Sequence, residues 1–509
     1  MPAAVAVPQD PADLIALVAW ARREKASLVP RGAGSAVTGS SVGEGVMVDI
    51  AWLEPRTLEV DHHSQTARVG AAVRLAEINA KAASHGLRLP PDPSSGAFAT
   101  TGGVVSTNAS GARSVRYGSV RPWVQAVSFI SADGEPVILT RGEAPPPAAA
   151  VGRFQAEADP AIRAAAGLIR QRRPATRKNS FGYALDDYLR SGDLVDLLIG
   201  AEGTLGLITE VRWKLAPLPS HRAGIRVVLA QLDHLTDAVE ALLPLDPSAI
   251  ELLDRTFLDL VGDGSGAAGS GFKGEAVLLV EFEGEDPTAL RGTVGDAVRR
   301  MKHLAADVET AVTPAEEARL WALRHAASPI IARLPEERRS LQVIEDACVP
   351  VSRMGEYIGF VREAAASQGI PVVIFGNAGD GNIHVNVLPD VTRPGWEGAV
   401  GRLFESVTDE VFRLGGTPSG EHGVGRLRAG LLERMCGAEI VALFRKVKHA
   451  FDPEGILNPG VLLDGRGPLE RLKVGASAAP IPADIETGLR EIERNGGYAR
   501  RRLELAGPG

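Results

Sequence analysis

Many of the 57 glycines of this 509-residue chain fall in five short stretches. These stretches lie around residues 31–45, 96–118, 200–206, 376–381 and 415–430. Glycine is favoured where a backbone must adopt a positive φ or approach another group closely. Glycines scattered among polar residues would instead indicate a flexible linker. Five clusters therefore predict a large ligand that several loops enclose.

The composition is that of a globular protein, with 45% hydrophobic and 23% charged residues. No run approaches the ~18 apolar residues of a membrane-spanning helix. The first ten residues show no basic segment before an apolar run. We therefore expect no secretory signal and a cytoplasmic location, with peripheral attachment to a membrane left open. A net charge of −8 argues against nucleic acid as a partner.

The chain has two cysteines, Cys348 and Cys436. Two thiols cannot build a disulfide framework or a four-thiolate metal site. We therefore expect no iron–sulfur cluster bound by this chain alone.

Local patterns predict several elements near these clusters. Residues 10–21 predict a helix, because Asp10 suits an N-cap, Pro11 suits the first helical position, and apolar residues recur at helical spacing. The apolar runs at 194–199 and 207–215 are typical of strands.

The first cluster reads Pro-Arg-Gly-Ala-Gly-Ser-Ala-Val-Thr-Gly over residues 30–39. A Walker A loop needs lysine after its last glycine, but Ser40 follows Gly39. The Rossmann fingerprint also fails, because Gly32, Gly34 and Gly39 lack the G-x-G-x-x-G spacing. The loop is therefore either an anion-binding nest of backbone N–H groups or a plain turn.

Four further segments combine with this loop. Residues 90–118 contain Pro-Pro-Asp-Pro-Ser-Ser, Thr-Thr-Gly-Gly and Asn-Ala-Ser-Gly, and residues 200–209 read Gly-Ala-Glu-Gly-Thr-Leu-Gly-Leu-Ile-Thr. Residues 375–384 read Phe-Gly-Asn-Ala-Gly-Asp-Gly-Asn-Ile-His, and residues 419–426 read Ser-Gly-Glu-His-Gly-Val-Gly-Arg. Over residues 8–463 this order of motifs resembles the vanillyl-alcohol-oxidase-type flavoproteins. Within them it is most similar to the glycolate oxidase D-subunit, D-lactate dehydrogenase and D-2-hydroxyglutarate dehydrogenase branch.

The resemblance implies an α+β fold with a two-lobed FAD-binding domain and an α+β cap. Composition changes after Pro-Leu-Pro-Ser at 217–220, so the FAD domain is expected over 1–217 and the cap over 218–424. Helices over 425–463 are expected to return to the FAD domain. Residues 464–509 carry no motif that assigns them a role.

The resemblance also implies which residues hold FAD. Neither histidine nor cysteine occurs in the loops at 31–39 and 99–118, so we expect non-covalent FAD. The expected contacts are Arg31, Gly32, Ala33, Gly34, Ser35, Gly39, Pro91, Asp92, Thr100, Thr101, Gly103, Asn108, Gly111, Tyr117, Gly118, Glu202, Gly203, Thr204, Gly206, Ile208 and Asn458.

A flavin takes a hydride, and the protein must then bind the carboxylate of the donor. Arginine suits this task, because its planar fork bonds both carboxylate oxygens. Arg324 matches the W-x-x-R element of the branch, and Ser328 lies one helical turn further on. The alternative for Arg324 is a surface ion pair with Glu316 or Glu317.

His422 is the candidate base, because an imidazole near its ordinary pKa of ~6.5 can accept a proton at neutral pH. By resemblance, His384 and Glu421 match metal-ligand positions, where manganese or zinc could bind. Asn377 stands where the branch has its first ligand histidine, so the site is expected to be weak or absent.

Two further residues are candidate substrate contacts. Asn386 lies two residues after His384 on the same face of the predicted strand, and Arg426 could bind an anion or form a structural ion pair. Ile344 stands where the D-2-hydroxyglutarate enzymes have a lysine. Loss of that cation favours a monocarboxylic substrate such as D-lactate.

The sequence therefore predicts an FAD-dependent D-2-hydroxy-acid dehydrogenase. The alternatives are a non-catalytic FAD-binding subunit of a larger complex, and an alcohol oxidase or ether-lipid synthase. The electron acceptor is open among a quinone, a cytochrome, an electron-transfer flavoprotein and a separate iron–sulfur subunit.

Overall fold

A computed structural model of the chain describes residues 2–265, 274–325, 331, 334–463, 465, 467–470, 472, 474–475, 478 and 480–494. The strands are β1 (Ala4–Ala6), β2 (Leu28–Arg31), β3 (Val46–Asp49), β4 (Leu58–Asp61), β5 (Thr66–Gly70), β6 (Leu87–Arg88), β7 (Val124–Ile130), β8 (Pro136–Thr140), β9 (Leu207–Lys214), β10 (Ala216–Pro217), β11 (His221–Leu229), β12 (Ala249–Asp254), β13 (Ala276–Gly284), β14 (Asp307–Ala311), β15 (Ala347–Cys348), β16 (Val372–Asn377) and β17 (Asn382–Val387).

The α-helices alternate with these strands. They span Pro11–Glu24, Leu75–Ala83, Thr101–Ser106, Ser114–Tyr117, Ala149–Arg153, Asp159–Ala164, Ala166–Arg172, Leu185–Ser191, Val195–Leu198, His234–Leu242, Arg255–Ser265, Pro287–Met301, Pro314–His325, Met354–Ser367, Trp396–Arg413, Leu432–Cys436, Ala438–Phe451 and Ala483–Arg494. The predicted α+β class is confirmed. Among the described residues, no helix has the length and apolar character to span a bilayer.

The first helix forms as its sequence predicts. Asp10 accepts hydrogen bonds from the backbone N–H groups of Ala12 and Asp13, and Pro11 occupies the first turn. By contrast, the run at 194–199 is not a strand, since Val195–Leu198 is a helical turn. A short, fully buried apolar run has no periodicity that separates the two structures, so that prediction was wrong.

The first half of the chain contains two main sheets. The parallel sheet has the order β1-β3-β2, and the antiparallel sheet has the order β4-β5-β9-β7-β8. The loops that follow β2, precede β9 and surround Thr101–Ser106 contain three of the glycine clusters. Residues of all three loops line the same cavity.

The second half is built on a sheet of order β14-β11-β13-β12-β16-β17-β15 among the described residues. Successive residues of a strand face opposite sides of the sheet. Because residues 277–280 of β13 are all apolar, this strand presents apolar side chains on both faces. Leu278 and Val280 join the main core, whereas Val277 and Leu279 join a smaller core with Leu320. The smaller core holds the helix Pro314–His325 against the sheet.

Buried ion pairs join the two halves. Arg88 donates to both carboxylate oxygens of Glu283 on β13, at 2.9 and 2.5 Å. Arg113 donates to Glu281 of the same strand at 2.6 Å. Both carboxylates belong to the seven-stranded sheet, so these pairs fix it against β6 and against the loop that carries Arg113.

The chain returns to the first half after the helix Ala438–Phe451. Leu457 forms a parallel bridge with Leu28 of β2, and the Asn458 N–H donates to the Leu28 carbonyl at 2.8 Å. The domain boundaries near 217, 424 and 463 stay predictions.

Candidate functional site

A cleft of about 1140 Å³ runs between the glycine loops and the seven-stranded sheet. One end is lined by residues within 30–41, 92–113 and 202–208. The other end is lined by the helix Pro314–His325, β16, β17 and residues 421–422. The cleft thus connects the sequence motifs that were expected to bind cofactor with those expected to carry chemistry.

The first loop presents free backbone donors to this cleft. Among the described residues, the N–H groups of Ala33, Gly34, Ser35 and Ala36 have no hydrogen-bond partner, and all four residues line the cleft. Gly34 has a φ of +74°, a backbone conformation that residues with a side chain rarely adopt. Successive free amides form an anion-binding nest, so the loop fits the pyrophosphate of FAD better than it fits a plain turn.

The other glycines let the loops approach one another. A Cβ on Gly111 would lie 2.2 Å from the carbonyl oxygen of Asp92, and one on Gly203 would lie 2.3 Å from Pro30. Gly203 also has φ of +75°. These residues shape the cleft by close backbone packing.

Most of the expected FAD contacts reach the cleft. Those that line it are Arg31, Gly32, Ala33, Gly34, Ser35, Asp92, Thr100, Gly103, Gly111, Glu202, Gly203, Gly206 and Ile208. Those outside its lining are Gly39, Pro91, Thr101, Asn108, Tyr117, Gly118, Thr204 and Asn458.

The residues outside the lining hold the loops in place. Tyr117 donates to Glu283 at 2.6 Å, and Thr101 donates to the Val73 carbonyl at 3.0 Å. Thr204 donates to the Ala201 carbonyl at 2.6 Å. These side chains therefore hold the loops that surround the cleft and do not line it themselves.

Asn458 and Arg426 connect the end of the chain to the first loop. The Asn458 amide donates to the carbonyls of Ser40 and Glu202 at 2.8 and 2.7 Å. Arg426 donates to the Val42 carbonyl at 2.6 Å and to the Asn458 side chain at 3.2 Å. Arg426 is not among the residues that line the cleft, so the structure does not bring it to a substrate.

Glu202 connects the third loop to the segment at 419–426. Its carboxylate accepts from the N–H groups of Val424 and Gly425 at 2.8 and 3.0 Å. Burial raises the pKa of Glu202 to about 7. The side chain is therefore a buried connection between two motifs.

Arg324 lines the other end of the cleft and forms an ion pair across the sheet. Its Nε donates to Glu251 of β12 at 2.6 Å, and its guanidinium lies 4.7 Å from the ring centre of Phe375. Arg324 therefore does form an ion pair, but its partner is the fully buried Glu251 and not Glu316 or Glu317. Ser328 lies outside the described residues.

His422 lies between carboxylates. Its Nδ1 is 2.7 Å from Glu345 Oε1, and its Nε2 is 3.4 Å from Glu421 Oε1. Burial would lower its pKa, but Glu345 and Asp346 raise it well above the ordinary value. The expectation of an ordinary imidazole pKa is therefore wrong for this arrangement of charges.

His384 lies beside His422 because of the alternation in β17. Ile383 and Val385 face the core, whereas His384 and Asn386 face the cleft. The two imidazole rings stack with 5.4 Å between their centres. Burial would lower the pKa of His384, but hydrogen bonds to Glu345 and Glu421 raise it to about 9.

Sequence reasoning missed Lys178, which lies in the irregular segment between Arg172 and Leu185. Its buried ammonium donates to Asn377 Oδ1 at 2.7 Å and to Glu421 Oε2 at 2.9 Å. A lysine in an arginine-rich stretch is ordinarily solvated, so no local pattern predicts this contact.

The residues present do not fit the metal that the resemblance implies. The amide oxygen of Asn377 accepts from Lys178, and its nitrogen donates to Glu251. Asp346, His384, Glu421 and His422 do place ligand atoms within 4.8 Å of one another, as a metal site would require. The oxygens of Asp346, however, already accept from donors that include Ser419 and the His422 N–H. An ammonium 2.9 Å from Glu421 would repel a cation bound to the same carboxylate.

Similarity to known proteins agrees with this geometry. Residues 2–140 match the family "FAD binding domain", and residues 218–462 match "FAD linked oxidases, C-terminal domain". The chain is 30% identical over 463 residues to glycolate oxidase subunit GlcD of Bacillus subtilis, covering 90% of this chain and 88% of that protein. The chain belongs to the FAD-linked oxidase family. It is therefore an FAD-dependent oxidoreductase, and the FAD and enzyme predictions are confirmed.

Further similarities agree with the branch that the motifs indicated. This FAD-linked oxidase is 29% identical to a D-lactate dehydrogenase of Archaeoglobus fulgidus, covering 90% of each chain. It is 27% identical to D-2-hydroxyglutarate dehydrogenase of Escherichia coli, covering 97% of this chain and 52% of that protein. The solved structure of an alkyldihydroxyacetonephosphate synthase shares the fold, with a TM-score of 0.59 at 18% identity, over 89% of this chain and 75% of that one.

Proposed function

We propose that this FAD-linked oxidase converts a D-2-hydroxy acid to the 2-oxo acid, with a D-lactate-like substrate favoured. The observation that carries the proposal is the single cleft, which runs from the free amides of residues 33–36 to Arg324, His384 and His422. The names of two relatives, a D-lactate dehydrogenase and a glycolate oxidase subunit, support a small hydroxy acid as substrate.

The glycine loops would hold the cofactor by its phosphates and the cleft would enclose its ring system. When bound, FAD supplies a hydride acceptor at its N5 atom. The chain's residues at the other end then have three tasks, which are to bind the carboxylate, orient C2 and remove the hydroxyl proton.

Arg324 binds the substrate carboxylate in this proposal. Its Nε donates to Glu251 and the residue lines the cleft, so its two terminal nitrogens would be available to a bound carboxylate. Those two nitrogens match the two oxygens of a carboxylate. Phe375 and Trp321 also line the cleft, so an uncharged substituent on C2 would pack there.

His422 accepts the hydroxyl proton through Nε2, since Glu345 fixes its Nδ1. His384 lies against it and points its own Nε2 at Glu421. Asn386, whose amide oxygen is 2.8 Å from Ser340 Oγ, keeps its amide nitrogen for the substrate. Arg324, His384 and His422 would serve no purpose in an inert FAD-binding subunit, so their presence in one cleft favours catalysis.

The proposal is tested by steady-state kinetics with an artificial electron acceptor. We expect the highest kcat/KM for D-lactate or a similar monocarboxylic acid, and a lower value for D-2-hydroxyglutarate. A preference for D-2-hydroxyglutarate would overturn the substrate assignment, and turnover of L-lactate alone would overturn the stereochemical one.

A further inference from the structure

Lys178 is a buried cation beside Glu421 and Asp380. Its side chain is 7% exposed. Its three ammonium protons have three acceptors, namely Asn377 Oδ1 at 2.7 Å, Glu421 Oε2 at 2.9 Å and Asn382 Oδ1 at 3.2 Å. Asp380 lies slightly further away, at 3.6 Å. The ammonium is therefore hydrogen-bonded by groups from two separate segments, residues 377–382 and the loop that carries Glu421.

Glu421 has different partners on its two oxygens. Oε2 accepts from Lys178 and, at 2.6 Å, from Ser110. Oε1 lies 3.4 Å from the Nε2 atoms of both His384 and His422. The contacts to Oε2 fix the rotation of the carboxylate, and this rotation points Oε1 at the two imidazoles.

Residues 377 and 421 are positions at which the resembled branch would bind a metal, yet here both contact the same ammonium. A divalent cation at Glu421 would face this fixed positive charge within a few ångströms, in a buried setting where screening is weak. Lysine also has a compact charge with three donors, which suits three oxygen acceptors.

We propose that Lys178 replaces a metal ion in this enzyme, and that it positions Glu421 so that His384 and His422 are held for catalysis. The positioning of Glu421 for catalysis rests on the proposed function. The replacement of a metal ion rests only on the contacts of the Lys178 ammonium. Lys178 does not line the cleft, so it is a positioning residue that acts through Glu421.

Metal content tests the proposal without reference to any substrate. Wild-type protein purified without chelator and dialysed against EDTA should hold its FAD but no stoichiometric zinc or manganese, measured by mass spectrometry of the elements. One equivalent of either metal after dialysis would overturn the proposal.

Two variants separate the effect of the Lys178 ammonium on metal binding from the effect of Asn377. Asn377→His alone should still bind zinc poorly, because Lys178 remains, whereas Lys178→Met combined with Asn377→His should take up one equivalent, measured by calorimetry. Tight zinc binding by Asn377→His alone, or none by the double variant when it is folded and holds FAD, would show that the ammonium does not exclude the metal.

The positioning role is measured by flavin reduction. Lys178→Met should slow reduction by about 10- to 100-fold with FAD still bound, as loss of a residue supporting a catalytic group typically does. The matched control is Arg177→Gln, which removes the adjacent charge from a half-exposed side chain that pairs with Asp380 but not with Glu421. Equal rates in Lys178→Met and wild type would overturn this part. If every acid fails to reduce wild-type flavin, the proposed function fails while the metal result still stands.

Discussion

Replacing Arg324 by lysine tests how the substrate carboxylate is bound. In the wild type, the guanidinium Nε donates to Glu251, and the two terminal nitrogens form the proposed fork for the substrate carboxylate. Lysine has a single nitrogen, so it can pair with Glu251 or with the substrate, but it cannot form a fork with the substrate. The buried Glu251 keeps a cationic partner, and the fold and the bound FAD should therefore survive.

The expected loss is about 2–4 kcal/mol of transition-state stabilisation, as for truncation of a buried charged partner. At ~1.36 kcal/mol per decade this is about a 30- to 900-fold fall in kcat/KM. The assay is anaerobic stopped-flow reduction of the flavin over a range of substrate concentrations, with FAD content and Tm measured on the same samples.

Arg362→Lys is the matched control. Arg362 pairs with the buried Asp254 of β12, the strand that also carries Glu251, but it does not line the cleft. We expect this variant to change Tm slightly and kcat/KM hardly at all. If Arg324→Lys reduces flavin at the wild-type rate at every concentration, Arg324 does not bind the carboxylate.

The remaining predictions concern the cofactor, the base and the fold. FAD should be released intact by mild acid, whereas colour that stays with the precipitated protein would show covalent attachment. His422→Ala should cut flavin reduction by about 10²–10⁴ with FAD still bound. In the wild type the rate of flavin reduction should rise with pH, because His422 must lose its proton to act as the base. The midpoint of this rise should lie above the pKa of an ordinary imidazole, since Glu345 and Asp346 raise the pKa of His422; a midpoint near pH 6 would contradict this. Burial alone would raise the pKa of Glu283, but hydrogen bonds from Arg88 and Tyr117 lower it from 4.5 to about 2. The ionised Glu283 therefore contributes roughly 3 kcal/mol to the free energy of unfolding above pH 4.5, and this contribution is lost as the pH falls toward 2. Glu283→Gln should therefore lower the urea midpoint at pH 7, and the difference from wild type should shrink on acidification; a constant difference would refute the linkage.

The glycine clusters were sufficient to predict a large cleft. Close backbone packing and positive φ leave a direct mark on sequence, as at Gly34 and Gly203. Strand alternation likewise predicted the shared face of His384 and Asn386, which the structure bears out. The α+β fold was predicted from the resemblance of the ordered motifs to a known family.

Contacts between distant segments could not be predicted in this way. Asn458 and Arg426 lie beside the first loop, but their hydrogen bonds go to backbone carbonyls that no pattern marks. Lys178 reaches Glu421 across more than two hundred residues of sequence, and nothing in its neighbours reveals that it is buried. The pKa of His422 depends on Glu345 and Asp346, whose distance from it only the fold determines.

Oxidation of a D-2-hydroxy acid by this protein is tested most directly by anaerobic mixing of the FAD-bound protein with D-lactate, L-lactate and D-lactate deuterated at C2. The visible flavin absorbance should bleach with D-lactate and stay unchanged with L-lactate. It should bleach more slowly with the deuterated acid, because the C2 hydride is transferred in that step. Flavin that dithionite reduces, but that stays oxidised with D-lactate and with every other 2-hydroxy acid, would contradict it.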